Sequence, residues 1–272
     1  MLSSSSPEPP SDQSREDDQS REESMRRLVA HVFVDDLSAP APVLTENDVH
    51  HLSRVLRLRP GETVSVSDGQ GTVQVCEWAG GPELEPVGPA VRHRRPTPLV
   101  TVGFALTKGD HPEWAVQKLT EAGADRVIVV MAARCVARWP TAKQGRQLER
   151  LREVARQAAM QSRRAWLPVV DGPVPFTDLV ADLRRLGPAD PVAGGRGAGM
   201  APVSLAVPGS GPISLSTPTV LVGPEGGWTD DELAAVPHHV GLGPHVMRAE
   251  TAAVAAGVLL AALRAHLVAE TA

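Results

Sequence analysis

The chain has 272 residues, of which 42% are hydrophobic, enough for one large or two ordinary domains. Its net charge of −5 is unevenly placed, because residues 1–24 hold seven acidic residues and two arginines and the rest of the chain is therefore neutral. A neutral body argues against a protein that wraps nucleic acid over its whole surface, although it allows a local basic face.

Membrane insertion, secretion and metal binding are also disfavoured. The longest apolar run, Ala252 to Leu263, is too short to span a bilayer. The acidic N-terminus lacks the apolar segment of a secretory signal, so the cytoplasm is the expected location. Cys76 and Cys135 have neither CxxC spacing nor a nearby His pair, which predicts buried free thiols and no metal site.

The N-terminal third is predicted to contain a tail and a small β-rich module. Residues 1–24 are Ser, Pro, Gln and charge, and we expect them to be disordered. From residue 25 to 95, short alternating segments predict strands around an Asp68-Gly69 hairpin turn. One helix should begin at Thr45, with Asp48 at the capping-box position. We therefore interpret residues 25–95 as a small β-barrel.

Residues 98–272 alternate between strands and helices, which is typical of a parallel sheet covered on both faces. Residues 187–218 break this alternation with Gly, Pro and Ala, and we interpret them as a flexible insertion. The predicted elements are strands at 99–106, 127–131, 219–222 and 240–242, and helices at 111–122, 141–161 and 176–186.

A glycine-rich turn follows the strand at 219–222 and reads Gly223-Pro224-Glu225-Gly226-Gly227. It is not a nucleotide-phosphate loop, because neither GxGxxG nor GxxxxGK[ST] is present. Pro224 lacks a backbone donor and Glu225 would repel a phosphate. The turn therefore favours a ligand that is neutral or positive near the glutamate.

Two further stretches are candidates for binding. Residues 138–164 contain eight basic and two acidic residues, so this segment carries +6. Such a helix face either is simply solvated or contacts nucleic-acid phosphates, and the pattern leaves both open. Lys108-Gly109-Asp110 follows the first long strand, where α/β sheets bind ligands.

Together these motifs resemble a known family. Lys108-Gly109-Asp110, Arg134-Cys135-Val136 and the Gly223 to Gly227 turn are followed by Leu242-Gly243-Pro244 and Arg248-Ala249-Glu250-Thr251. In that order and spacing they are similar to the bacterial 16S ribosomal RNA uridine-N3 methyltransferases, the RsmE type of the SPOUT class. The resemblance covers about residues 28–264. Trp228 departs from it, because a smaller residue is common there.

The resemblance implies a PUA-like RNA-binding barrel followed by an α/β domain with a deep C-terminal trefoil knot. It also implies a homodimer that binds S-adenosylmethionine in the knot loops and acts on 16S ribosomal RNA in the 30S subunit. Arg248 and Glu250 would be catalytic: the arginine would stabilise the uracil anion, and the glutamate would orient the base or accept its proton. The implied cofactor residues are Leu221, Gly223, Glu225, Gly226, Leu242, Gly243 and Met247.

Basic residues would hold RNA phosphates in such an enzyme. The alternative left open is a catalytically silent RNA-binding factor for ribosome assembly that has the same fold. The predicted RNA contacts are Arg54, Arg57, Lys108, Arg134, Arg150, Arg156 and Arg164.

Overall fold

A computed structural model describes residues 28–186 and 202–270, and the chain divides between His93 and Arg94 into two compact units. The predicted tail at 1–24 lies outside the described residues. So does the segment 187–201 of the predicted insertion.

Within residues 28–93, the first unit is a mixed five-stranded sheet with one short helix. Thr45 caps that helix as predicted, because its side chain accepts a hydrogen bond from the Asp48 amide at 3.2 Å. The helix continues as a π-helical turn over His51–Val55. The elements are β1 (Ala30–Phe33), α1 (Glu46–His50), β2 (Glu62–Ser67), β3 (Thr72–Trp78), β4 (Leu84–Pro86) and β5 (Val91–Arg92).

The strand pairing of this unit corrects one prediction. β1 pairs in parallel with β2, β2 and β3 form the predicted antiparallel hairpin, and β4 and β5 both pair with β3. Among the described residues the pairings therefore form an open sheet, not a closed ring. β4 and β5 both lie along β3, and among the described residues neither pairs with β1 to close a barrel.

The second unit is a six-stranded sheet covered by helices on both faces. Its strands are β6 (Thr101–Ala105), β7 (Arg126–Met131), β8 (Val169–Pro175), β9 (Val203–Gly211), β10 (Thr219–Val222) and β11 (His239–Val240). Its helices are α2 (His111–Ala122), α3 (Thr141–Gln161), α4 (Phe176–Leu186), α5 (Asp230–Ala235) and α6 (Ala249–Arg264).

All pairings in this sheet are parallel, in the order β11-β9-β10-β6-β7-β8. Successive strand residues point to opposite faces, so each strand contributes to two cores. One core contains Val102, Phe104, Leu119 and Leu260, and the other contains Ile128, Leu205, Leu221 and Phe176.

The predicted flexible insertion is wrong for its second half. Residues 203–211 form β9, which lies between β10 and β11 in the sheet. Leu205 is fully buried there, and burial of its side chain stabilises a segment whose Gly and Pro content suggested a loop.

Helices α2 and α6 pack closely against each other. A Cβ atom on Gly257 of α6 would lie 2.5 Å from a Leu119 methyl carbon of α2. At their C-terminal ends Arg264 donates to the carbonyl of Gly123 at 2.9 Å and pairs with Asp125, which is 2% exposed. A buried carboxylate requires such partners, and this ion pair fixes the end of α6.

Within the described ranges, no helix has the length and apolar character needed to cross a bilayer.

Candidate active site

Parallel strands bring their following loops to one edge of the sheet, where α/β proteins bind ligands. Four such loops matter here. They are residues 106–110 after β6, 132–135 after β7, 223–229 after β10 and 241–248 after β11.

The loop after β10 is packed against an aromatic ring. Trp228 is 7% exposed, and its indole nitrogen donates to the Ala206 carbonyl of β9 at 3.2 Å. A Cβ atom on Gly223 would lie 2.9 Å from the same ring, so only glycine fits there without a shift. Thr229 and Glu232 then form the predicted capping box of α5.

Side chains of the β10 strand and its loop contribute unequally. Leu221 is fully buried on the face that also holds Trp228, and its cofactor contact stays a prediction. Glu225 and Gly226 are exposed at the rim. A ligand above this loop therefore meets backbone groups and one carboxylate.

Arg134 connects the β7 loop to the β10 loop. Its Nη1 donates to the carbonyl oxygens of Gly226 and Trp228, each at 3.0 Å. The neighbouring Ala133 amide donates to Glu232 at 2.8 Å. Nη1 of Arg134 therefore holds two carbonyls of the glycine-rich loop, and the RNA contact of this exposed arginine stays a prediction.

The loop after β11 presents apolar side chains and an open backbone. Leu242 and Met247 are half-buried and pack on the core. Gly243 has a φ of +147°, and no atom lies within 4 Å of where its Cβ would be. A ligand can therefore approach the backbone at Gly243 without displacing a neighbouring side chain.

Glu250 and Arg248 lie at the start of α6 in different environments. Arg248 is exposed and occupies the N-cap position. Glu250 is 7% exposed, and its Oε1 lies 2.8 Å from Nδ1 of His111 at the start of α2. His111 was not among the predicted site residues. The available signal was its position directly after Lys108-Gly109-Asp110.

The remaining predicted RNA contacts differ in accessibility. Arg54, Arg57 and Lys108 are exposed. Arg150 is also exposed but pairs with Glu113 at 3.0 Å, and Arg156 lies 3.6 Å from the Met160 sulfur. Intramolecular partners thus account for part of the basic face of α3.

Arg164 lies in a different environment from the one predicted. Its side chain is 13% exposed, and its Nη1 donates to the carbonyls of Thr120 and Ala124 at 2.9 and 2.7 Å. Its Nη2 lies 3.6 Å from the buried Asp125. Burial lowers the pKa of Arg164 from its ordinary value, while Asp125 opposes that shift. A guanidinium in this position stabilises the fold and does not face an RNA phosphate.

The two cysteines are buried free thiols, as predicted. Burial raises the pKa of Cys76 to about 11 and also raises that of Cys135. In the parts of the chain that the structure describes, His, Cys, Asp and Glu form no group of three that could hold a metal ion.

Comparison with known proteins defines the class. Residues 93–261 match the family described as "RNA methyltransferase domain", and residues 44–77 match "RNA methyltransferase PUA domain". The fold and its strand-end loops are therefore those of an RNA methyltransferase with an N-terminal PUA domain.

Relatives identify the family more narrowly. The chain is 38% identical to "Ribosomal RNA small subunit methyltransferase E" of Mycobacterium bovis, over 84% of this chain and 90% of the relative. It is 32% identical to the protein of the same name from Bacillus subtilis, over 79% and 87%. The chain therefore belongs to the ribosomal RNA small subunit methyltransferase E family.

A solved structure agrees on the fold. The Neisseria gonorrhoeae member of this family, crystallised with S-adenosyl methionine, superposes with a TM-score of 0.68 at 24% identity. The match covers 86% of this chain and 97% of that one.

Proposed function

We propose that the protein transfers a methyl group from S-adenosylmethionine to N3 of a uridine in 16S ribosomal RNA. The observation that carries this proposal is the meeting of the β10 and β11 loops with the start of α6 at one edge of the sheet. The glycine-rich turn lies at the same edge as an exposed arginine and a buried glutamate, Arg248 and Glu250.

The residues of the two loops fit a sulfonium cofactor. Between Gly223 and Trp228 the only charged side chain is Glu225, whose carboxylate tolerates a positive ligand. Leu242 and Met247 supply apolar surface for the uncharged parts of the cofactor. The backbone is exposed at both Gly226 and Gly243, and at Gly243 no atom lies within 4 Å of the Cβ position, so a ligand can approach closely there. When bound, the cofactor supplies an electrophilic methyl group.

The side chains at the start of α6 would act on the acceptor base. Uracil N3 carries a proton and becomes nucleophilic only when that proton leaves. The negative charge then spreads onto the two carbonyl oxygens, and Arg248 would stabilise it electrostatically. Glu250 would orient the groups around N3. The target base must be single-stranded or flipped out of a helix to reach them.

RNA binding would involve the exposed basic residues of both units. Arg54 and Arg57 lie within the region that matches the PUA domain, and Lys108 follows β6. We place these three against RNA phosphates. Arg150 and Arg156 of α3 would contribute where RNA phosphates outcompete Glu113 and Met160.

A trefoil knot and a homodimer belong to the same proposal. The course of the last segment supports the knot, since α6 follows the edge strand β11 and yet packs on β6 and β10. Sedimentation of the purified protein would test the dimer.

The direct test is a methyl-transfer assay with labelled S-adenosylmethionine, using 30S subunits and, separately, free 16S ribosomal RNA. We expect N3-methyluridine in the digested RNA. Calorimetry with the cofactor separates an enzyme from a silent assembly factor, because a folded protein that does not bind it cannot be the proposed methyltransferase. Label found only on another nucleoside would contradict the N3 assignment.

A further inference from the structure

The pair formed by His111 and Glu250 joins residues from two helices at the predicted reaction centre. The His111 Nδ1 atom lies 2.8 Å from Oε1 of Glu250. The two side chains differ in accessibility: the imidazole is 41% exposed and the carboxylate only 10%. The histidine is therefore the member of the pair that can contact a substrate.

A buried carboxylate next to Nδ1 selects one form of a neutral imidazole. An ionised carboxylate only accepts hydrogen bonds, so Nδ1 must carry the hydrogen. The lone pair then resides on Nε2, the other ring nitrogen. Carboxylates orient the histidine in Ser–His–Asp sites by the same arrangement, and they stabilise the imidazolium that forms.

The carboxylate alone is a weak candidate for the base. A free glutamate has an ordinary pKa of about 4.3 and an imidazole one of about 6.5, so the imidazole is better matched to a weakly acidic N–H. Glu250 is also largely inaccessible, and its Oε1 is already engaged by His111.

We propose that His111 is the general base of the methyl transfer and that Glu250 is its positioning residue. This inference rests on the proposed function. The N3–H bond of uracil breaks, an Nε2–H bond forms, and the electron pair stays on N3 and its carbonyls. N3 forms its new bond to the methyl carbon while the carbon–sulfur bond breaks and its electrons leave with sulfur. The imidazolium afterwards loses its proton to water.

Several charged groups surround this pair. Arg248 is exposed on the same turn as Glu250, so it can stabilise the uracil anion without displacing the histidine. Glu113 lies two residues after His111 and is paired with Arg150 of α3 at 3.0 Å. The charged residues near or on α2 are Lys108, Asp110, Glu113, Lys118 and Glu121. Those on α3 are Lys143, Arg146, Glu149, Arg150, Arg152, Glu153 and Arg156, and those at α6 besides Glu250 are Arg248 at its start and Arg264 at its far end.

The first test compares His111→Gln with the wild type under saturating cofactor and RNA. Loss of a general base should lower kcat about 10²- to 10⁴-fold while the cofactor Kd, measured by calorimetry, stays within about twofold. His266→Gln, an exposed histidine beyond the far end of α6, is the matched control and should retain activity. Full activity of His111→Gln would overturn the inference and leave the proposed function standing. A wild-type protein that yields no methylated uridine would overturn both.

The second test does not depend on turnover. Long-range ¹⁵N–¹H correlation spectra of the cofactor-free protein, assigned with His111→Gln, should show His111 with its hydrogen on Nδ1. Glu250→Gln should alter that signal and lower kcat, because an amide can donate to the ring as well as accept. A wild-type ring with its hydrogen on Nε2, or one protonated on both nitrogens at the assay pH, would overturn the assignment.

Discussion

The indole ring of Trp228 fills the space into which a side chain at Gly223 would project. A Cβ atom at Gly223 would lie 2.9 Å from the ring. The indole nitrogen donates a hydrogen bond to the Ala206 carbonyl, and this bond would be disturbed if the ring moved away. We expect Gly223→Ala to destabilise the protein by about 1–3 kcal/mol through overpacking. It should also weaken S-adenosylmethionine binding, measured by calorimetry alongside chemical denaturation.

The matched control is Gly145→Ala in α3. No atom lies within 4 Å of its Cβ position, and alanine favours a helix by about 1 kcal/mol over glycine. This variant should be as stable as the wild type or more so. If both alanine variants had the same stability and the same cofactor affinity, the contact with Trp228 would not be what restricts position 223 to glycine.

Arg134→Ala should weaken cofactor binding more than RNA binding. The substitution removes the donor that holds the carbonyls of Gly226 and Trp228, so the glycine-rich loop loses its tie to the β7 loop. We expect the cofactor Kd to rise about tenfold, since hydrogen bonds from a charged group contribute about 1.5–3 kcal/mol. Calorimetry measures this effect. An unchanged cofactor Kd together with a weaker RNA complex would contradict this role and favour the predicted RNA contact of Arg134.

Arg248→Ala should abolish most turnover without unfolding α6. The side chain of Arg248 makes no capping hydrogen bond, so the free energy of unfolding should change by less than about 0.5 kcal/mol. Loss of the charge that stabilises the uracil anion should lower kcat by about 10²- to 10³-fold. Single-turnover kinetics with calorimetry separates this from lost binding. Unchanged turnover would remove Arg248 from catalysis.

Arg54→Gln combined with Arg57→Asn should flatten the salt dependence of RNA binding. Arg57 has a φ of +55°, and asparagine tolerates that conformation while removing the charge. Each lost phosphate contact should reduce the slope of log K against log salt by about 0.7 for single-stranded RNA. Fluorescence anisotropy at several salt concentrations measures the slope. Arg126→Gln, which removes an arginine paired with Asp171 at 2.7 Å, is the control and should leave the slope unchanged.

Cys76 should react slowly with thiol reagents in the native protein. Burial raises its pKa from 9.0 to about 11, so hardly any thiolate is present at pH 8. Because the folded pKa exceeds the unfolded one, this thiol stabilises the fold below pH 9, and that contribution is lost as pH rises towards about 11. Labelling by Ellman's reagent in native and denatured protein checks the first point, and denaturation at pH 8 and pH 10.5 checks the second. Rapid native labelling at pH 8 would contradict it.

Local patterns predicted the regular elements well. The bounds of α2 and α3 and of the strand at 219–222 match the prediction, because hydrophobic periodicity and, for α2, the left-handed Gly123 at its end encode them over a few residues. Thr229 and Glu232 form the predicted capping box for the same reason. β8 was missed because Gly172 and two prolines interrupt its alternation, and in the fold Gly172 adopts a positive φ of +107° against Val129.

Roles that depend on tertiary contacts were predicted less well. The charge of Arg134 and Arg164 is evident from the sequence, but the carbonyls that engage them come from segments about 40 to 95 residues away. His111 was not predicted for the same reason, because its partner Glu250 is 139 residues further along the chain. Spacing along the sequence carries little information about such pairs.

Helices α2 and α6 are attached at three levels, by His111 to Glu250 at their starts, Gly257 against Leu119 midway, and Arg264 to Gly123 at their ends. These contacts fix the register of one helix against the other. One residue inserted in the first turns of α6 would rotate Glu250 by about 100° away from its partner, since a helix has 3.6 residues per turn. The number of residues in α6 therefore matters for the site. The ion pair of Arg264 with Asp125 holds one end of the helix, and the helix length then determines where Glu250 lies at the other end.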